Sequence, residues 1–335
     1  MITTETISSG KATTSPPVLF KSILFATDFS EVATKALRYA ACIARTHCAK
    51  LHIVHVLPAE APPQIPMEPL PASLDRGYVE AEANMQALGT GKFLLGLPHE
   101  DIVERGPIQE VIADLIRRNN IDLLVLGTHG RGGLNKFLLG SVAEELFRIA
   151  TCPVLTVGAK VPVPREDGLA IRKVLFPTDF EQSSLAALPY AISIANKNGG
   201  DLILLHIVTP KPVPPHLSWE TVIKVSEKRQ LESLDATRRL RALIPEDEIL
   251  TCEVEYLVSF GLVPKGIADA LANCQPDLIV MGVKKLAAPR AAAHLYWSTA
   301  HQVVCRARCP VLTIRSDRCK DPVETDLPSN ILLGE

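Results

Sequence analysis

Every strand and helix signal in the first half of this chain returns, in the same order, in the second. Ser22-Ile-Leu-Phe-Ala-Thr-Asp-Phe29 is restated as Lys173-Val-Leu-Phe-Pro-Thr-Asp-Phe180. Leu202-Ile-Leu-Leu-His-Ile-Val208 repeats the segment that carries His55-Val56, and prolines follow both. Gly261 and Pro264 echo Gly106-Pro107, Asp277 to Gly282 echoes Asp122 to Gly127, and Cys309-Pro-Val-Leu-Thr-Ile314 echoes Cys152-Pro-Val-Leu-Thr-Val157. Such recurrence is a tandem duplication, so the chain must build one unit twice. Its 335 residues agree, at a prior of roughly 150 per domain.

Within the first copy, Lys21 to Asp28 reads as a strand ending in an acid, and Ser30 caps a helix from Glu31 to about His47 that carries Ala33, Ala36, Leu37, Ala40 and Ala41 on one face. Leu51 to Leu57 is a second strand. Six prolines between Pro58 and Pro71 mark a loop, and a long helix is expected from about Ala72 to Leu95. Asp101 to Glu104 is a third strand, Gly106-Pro107 opens a helix through Arg118, and Ile121 to Leu126 and Thr151 to Val157 are further strands. This alternation predicts an α/β fold of two tandem doubly wound, five-stranded parallel-sheet domains. The boundaries expected are a flexible leader 1–17, domain 1 over 18–160, a proline-bearing linker 161–170, domain 2 over 171–315 and a tail 316–335.

The chemistry concentrates in Asp122-Leu-Leu-Val-Leu-Gly-Thr-His-Gly-Arg-Gly-Gly-Leu-Asn-Lys-Phe-Leu-Leu-Gly-Ser-Val142. Leu123 to Leu126 suit a short strand covered on both faces. Gly127, Gly130 and Gly140 follow, and glycine lets backbone amides approach a bulky anion. A helical apolar period through Val142, Ala143, Leu146, Phe147 and Ile149 puts Gly140-Ser141 at a helix N-terminus, where free amides and the helix dipole favour phosphate. The loop is neither of the commoner nucleotide loops. No Gly-Lys-Ser/Thr follows the glycines, and Asn135 holds the last position of a Gly-x-Gly-x-x-Gly match.

The Gly127-x2-Gly130-x9-Gly140-Ser141 pattern resembles the ATP-binding members of the universal stress protein family, and the resemblance extends over both halves, about residues 20 to 315. It implies a Rossmann-like, adenine nucleotide alpha hydrolase-like domain with strand order 3-2-1-4-5. It also implies that ATP, with or without Mg²⁺, meets Ala26, Thr27 and Asp28 at the end of strand 1, the backbone near Val56 on strand 2, and Leu126, Gly127, Thr128, Gly130, Arg131, Gly140, Ser141 and Val142 around ribose and phosphates. Ala26 departs from the proline that many members, and Pro177 of the second copy, carry. Asp28 also has a plain turn role open to it, which alone would explain Asp179.

The second copy reads as degenerate. Aligned backward from Cys-Pro, Trp297 stands opposite Gly140 and Ser298 opposite Ser141, while Lys285 replaces Gly130. One nucleotide site is therefore expected, in the first half. His301, Cys305 and Cys309 offer zinc-like ligands without a clear fourth, so no metal site is expected. His55 and His206 read as packing histidines, and the stripes Val79-Asn84-Leu88 and Trp219-Val225-Leu231 as sheet-facing helix sides. Cys42, Cys152, Cys274 and Cys305 read as buried free thiols among eight cysteines.

A balance of 35 Lys+Arg against 37 Asp+Glu, without a dense basic cluster, argues against nucleic acid as a partner. No apolar run reaches the roughly 18 residues of a membrane span, and Met1 to Pro17 lacks the apolar centre of a signal peptide, so no membrane partner and a cytoplasmic location are expected. The fifth strands, Val154 to Val157 and Val311 to Ile314, are apolar edges that need cover. By the resemblance, members dimerise at this edge, which implies intramolecular pairing of the two halves and leaves a homodimer open. The function expected is an ATP-binding stress-response regulator acting on an unnamed protein partner. A slow ATPase or phosphotransferase ranks second, because His129 is the nearest base but no acid lies between Gly127 and Ser141. A nucleotide-independent scaffold is the third class.

Overall fold

The computed structural model describes residues 6–7, 18–59, 76–128, 140–165, 168–210, 219–244, 250–283 and 298–315. The first half contains β2 (Ser22–Ala26), α1 (Glu31–His47), β3 (Lys50–Leu57), α2 (Arg76–Gly89), β4 (His99–Arg105), α3 (Ile108–Arg118), β5 (Leu123–Gly127), α4 (Ser141–Ile149) and β6 (Val154–Val157). The second contains β7 (Lys173–Pro177), α5 (Gln182–Leu185), α6 (Leu188–Asn198), β8 (Asp201–Val208), α7 (Trp219–Arg241), β9 (Val254–Phe260), α8 (Val263–Cys274), β10 (Leu278–Val283), α9 (Ser298–Arg306) and β11 (Val311–Arg315). Ahead of both, in the stretch expected to be a leader, β1 (Thr6–Ile7) lies antiparallel to β9. The expected loop over 60–71, the tail 316–335 and residues 129–139 of the glycine loop lie outside the described residues.

Each half has the order 3-2-1-4-5, as β4-β3-β2-β5-β6 and β9-β8-β7-β10-β11, all parallel. The two sheets are not separate. β11 and β6 pair antiparallel, with Leu312 opposite Leu155 and Thr313 opposite Val154, so one eleven-stranded sheet runs through the molecule. The two apolar fifth strands thereby cover each other. Thr156 Oγ1 donates to the Val311 carbonyl at 3.2 Å and Thr313 Oγ1 to Val154 at 3.1 Å, so the polar side chains of this seam are satisfied across it.

Alternation along each strand builds two cores. On β2, Ile23 and Phe25 face the layer of α1 and α6, while Leu24 faces the layer of α3, α4, α8 and α9. Both cores continue from one half into the other. Two matched aspartates lock the sheet starts, Asp122 accepting from the amides of Lys21 and Ser22 and Asp277 from those of Arg172 and Lys173.

Ser30 caps α1 as expected, its hydroxyl accepting from Ala33 N at 3.1 Å. Ser30→Ala is expected to lower stability by about 1 kcal/mol, read as a shifted urea midpoint with unchanged slope. α2 is shorter than the expected Ala72–Leu95 helix, because Gly89 and Gly91 end it and a 3₁₀ turn, Lys92–Leu94, takes over. The side chains that face the sheet also differ from expectation. α2 buries Ala81 and Met85, and α7 buries Ala236 and Leu240, while Val79 and Leu231 are exposed. Cys42 and Cys152 are buried, but Cys274 and Cys305 are only partly so. Burial pushes the Cys309 thiol up to about 12 and that of Cys252 to about 11, so both stay protonated.

The α1–α6 side of the seam holds a titratable group. His47 Nδ1 accepts from Phe20 N at 3.1 Å, and its ring packs on Phe20, which in turn stacks on Tyr190 of the second half. Burial, with Lys197 nearby, lowers its pKa from the usual 6.5 to about 4. The unfolded chain therefore takes up this proton first as the pH falls. The contribution is complete above about pH 6.5 and is lost on the way down to about pH 4, by roughly 1–2 kcal/mol once the partial solvation of the ring is discounted. In His47→Gln, urea midpoints are expected to lose that part of their slope between these pH values. An unchanged pH profile would assign it to other groups.

Candidate functional site

The parallel register fixes which residues meet at the carboxyl edge of the first half. Ala26 pairs with Val54 on one side and Leu126 on the other, so Thr27 and Asp28 stand level with His55 and Val56 and with Gly127 and Thr128. β2 and β5 are the adjacent strands from which the order runs out in opposite directions, and ligands of open α/β sheets bind at such a switch point.

Each side chain there has an identifiable position. Thr27 N still donates to Val54 O, and the Thr27 hydroxyl is buried and accepts from Phe29 N at 2.9 Å. Asp28 is half-buried, and its Oδ1 accepts from Ser30 N at 3.0 Å, which closes the turn into α1. Phe29 takes a left-handed backbone, φ 62°, and its ring lies 4.5 Å from that of His55, whose Nδ1 meets the Thr27 carbonyl at 2.8 Å. The second half repeats this turn. Asp179 Oδ1 accepts from Glu181 N at 3.0 Å, Phe180 has φ 63°, and His206 contacts the Thr178 carbonyl at 2.8 Å. The matched histidines thus brace matched turns, and both are half-buried rather than enclosed in the core.

Gly127 has a packing reason as well as a chemical one. A Cβ there would come within 3.2 Å of Ala33 N, so its absence lets the first turn of α1 close over the end of β5. Leu126 and Thr128 are buried, and Ala26 is half-buried. Thr128 N donates to Val157 O at 3.0 Å, while the Thr128 carbonyl accepts from Gly140 N at 2.7 Å. That bond ties the start of α4 to the end of β5. Gly140 is the residue before α4, with φ −58° and ψ 143°, and Glu144 N donates back to its carbonyl at 2.8 Å. The amides of Ser141, Val142 and Ala143 therefore precede the first intrahelical donor, Glu144 N. Val142 is exposed at this end.

The structure accordingly brings Ala26, Thr27, Asp28, Val56, Leu126, Gly127, Thr128, Gly140, Ser141 and Val142 to one edge of the sheet, formed by the ends of β2, β3 and β5 and the start of α4. Gly130 and Arg131, along with His129, lie outside the described residues. Sequence reasoning missed the brace of Phe29 on His55. Its signal was present, since both residues recur in the second copy as Phe180 and His206.

Comparison with known proteins follows the same two halves. The universal stress protein family model matches residues 19–158 and again residues 170–315. The chain belongs to the universal stress protein family. A universal stress protein A homolog of Coxiella burnetii is 35% identical over 145 residues, covering 42% of this chain and 98% of that protein. A universal stress protein of Methanocaldococcus jannaschii is 31% identical over 147 residues, covering 42% of this chain and 82% of that protein. Among solved structures, a universal stress protein from Archaeoglobus fulgidus covers 88% of this chain and 98% of its own, with a TM-score of 0.60 at 19% identity. The two-half universal stress protein arrangement therefore accounts for the whole eleven-stranded sheet apart from β1. Among the described residues, no helix is long and apolar enough to cross a membrane.

Proposed function

We propose that this universal stress protein binds ATP, with Mg²⁺ as its counter-ion, at the carboxyl edge of the first half, and acts as a cytoplasmic stress-response regulator. The observation that carries the reading is the Gly140 N to Thr128 O bond of 2.7 Å. It sets three amides at a helix start beside the ends of β2 and β5, within one site with the half-buried Asp28 carboxylate. Amides at a helix start favour a phosphate chain, and a carboxylate accepts hydroxyl or amino donors of a nucleoside. Occupancy would shift the population of conformations around the glycine loop and so the surface offered to a protein partner.

The test is the small-molecule content of freshly purified protein, released by denaturation and identified by chromatography with mass detection. Stoichiometric ATP is the expected result. ADP in its place would move the protein to the slow-ATPase class. No nucleotide on the purified chain, and none taken up on titration, would overturn the reading.

A further inference from the structure

α7 carries apolar side chains on the side away from the sheet. The helix touches β8 and β9, and the side chains it buries there are Ala236 and Leu240, near its end. From Ile223 to Leu231 every side chain but Val225 is exposed. Leu231 and Leu234 are 68% and 61% exposed, and at about 3.6 residues per turn they project opposite Ala236 and Leu240.

The exposed face has the spacing of a helix-pairing seam. Glu227, Leu231, Leu234 and Arg238 follow one another at intervals of four, three and four residues, and all four are exposed. The fold itself does not require this pattern. α2, the matching helix of the first half, buries Ala81 and Met85 as α7 buries Ala236 and Leu240. That alignment puts Arg76 where α7 has Leu231, and Ala83 where it has Arg238.

The order of the charges specifies the occupant. When α7 is laid antiparallel against α7 of a second copy, with Leu231 of each chain level with Leu234 of the other, Glu227 stands opposite Arg238 at both ends of the leucine contact. The flanking positions then set Lys228 across from Asp235, the opposite-charge pattern that fixes orientation in paired helices. A parallel pair would instead set Glu227 against Glu227 and Arg238 against Arg238. The next cation along the helix, Arg241, is drawn back to its own half, with its guanidinium 5.9 Å from the Tyr256 ring of β9. Within the helix Arg238 meets Asp235 at 2.6 Å and Lys228 meets Glu232 at 3.8 Å, but both pairs are exposed, and such pairs are weak enough to be shared with a partner.

We propose that this face of α7 is a self-association surface, through which two copies of the chain pair antiparallel about a two-fold axis. Four leucines form its centre, and Glu227 with Arg238 closes it at each end. The two-fold operation engages the face of both chains, so assembly stops at the dimer. A single helix pair is a small contact, and the dimer is therefore weak and dependent on concentration.

Sedimentation velocity of the full-length protein, over a roughly hundredfold range of concentration, tests this. The parent chain is expected to pass from monomer to dimer. Leu231→Gln combined with Leu234→Gln keeps good helix formers and is expected to remain monomeric throughout. Glu227→Arg and Arg238→Glu each set like charges at both ends and are each expected to weaken the dimer tenfold or more. Placed together in one chain, those two changes exchange the pair, and parent affinity is expected to return. All four side chains are exposed, so every variant is expected to melt with the parent at low concentration. A parent chain that stays monomeric over the whole range would overturn the proposal. A dimer that survives the paired leucine change would place the contact elsewhere and overturn it too. Failure of the charge exchange to restore what the single changes remove would overturn the antiparallel pairing. A clearly lower melt in the paired leucine variant would mean that the chain covers this face itself, which also overturns the proposal.

Discussion

Replacing Gly140 with Trp is expected to abolish ATP binding while leaving the protein folded. The substitution writes into the first half the residue that the second half carries at Trp297. Its backbone cost is small, because φ −58° and ψ 143° are open to any L-residue. Glycine is also only a moderate cap, so losing it removes at most about 1 kcal/mol from α4. The effect on binding is of another size. An indole at this point stands over the amides of Ser141, Val142 and Ala143, and each hydrogen bond to a charged oxygen contributes roughly 1.5–3 kcal/mol. Losing two of them corresponds to a hundredfold or larger fall in affinity, at about 1.4 kcal/mol per tenfold. Isothermal titration with Mg-ATP and a thermal melt of the same sample separate the two effects. Affinity equal to the parent chain, in a variant with an unshifted melt, would remove the glycine-to-helix junction from the site.

The fold was legible in the sequence because two independent copies reported each element. A strand such as Leu123 to Leu126 is ambiguous alone, but its echo in Leu278 to Met281 removes the ambiguity. The strand order could be stated only through the family resemblance, since pairing is set by long-range packing that no local pattern encodes. Helix ends inside runs of good helix formers were less legible. α2 stops at Gly89, several residues before the expected end, because glycine's backbone entropy outweighs the apolar period that continues to Leu95.

At the candidate site, the residue types pointed to a phosphate-binding helix start, and the structure adds what each position does locally. Gly127 reads from sequence as a ligand-facing glycine, yet its neighbour is the backbone of Ala33. Asp28 reads as a nucleoside contact, yet its Oδ1 already closes a turn that Asp179 closes in the same way. The glycine-to-helix junction is what separates the halves in sequence, Gly140 against Trp297 and Gly130 against Lys285. The outward face of α7 was not legible as such. An apolar period shows that a helix has a preferred side but not what covers it, so Leu231 reads as sheet-facing and is instead exposed.

The largest effect on stability is expected at the seam rather than at the candidate site. Leu312 is 2% exposed and lies directly opposite Leu155, itself 3% exposed, where β11 meets β6. Truncating a leucine so placed removes about 2–5 kcal/mol, and a carboxylate put in its stead adds a desolvation cost of several more. Against a typical total of about 5–15 kcal/mol, Leu312→Asp is expected to leave the chain largely unfolded at physiological temperature. Thr313→Val, one residue on, keeps the volume and loses only the bond to Val154 O, for about 1 kcal/mol. The milder Leu312→Ala carries the mechanistic information. Both cores cross the seam, so the parent chain is expected to melt in one calorimetric transition. Weakening the seam lowers the coupling between halves more than the packing within either, and Leu312→Ala is expected to divide that transition in two. A single sharp transition at the parent temperature in Leu312→Ala would mean that the halves are held together elsewhere, through Phe20, His47 and Tyr190 on the α1–α6 face.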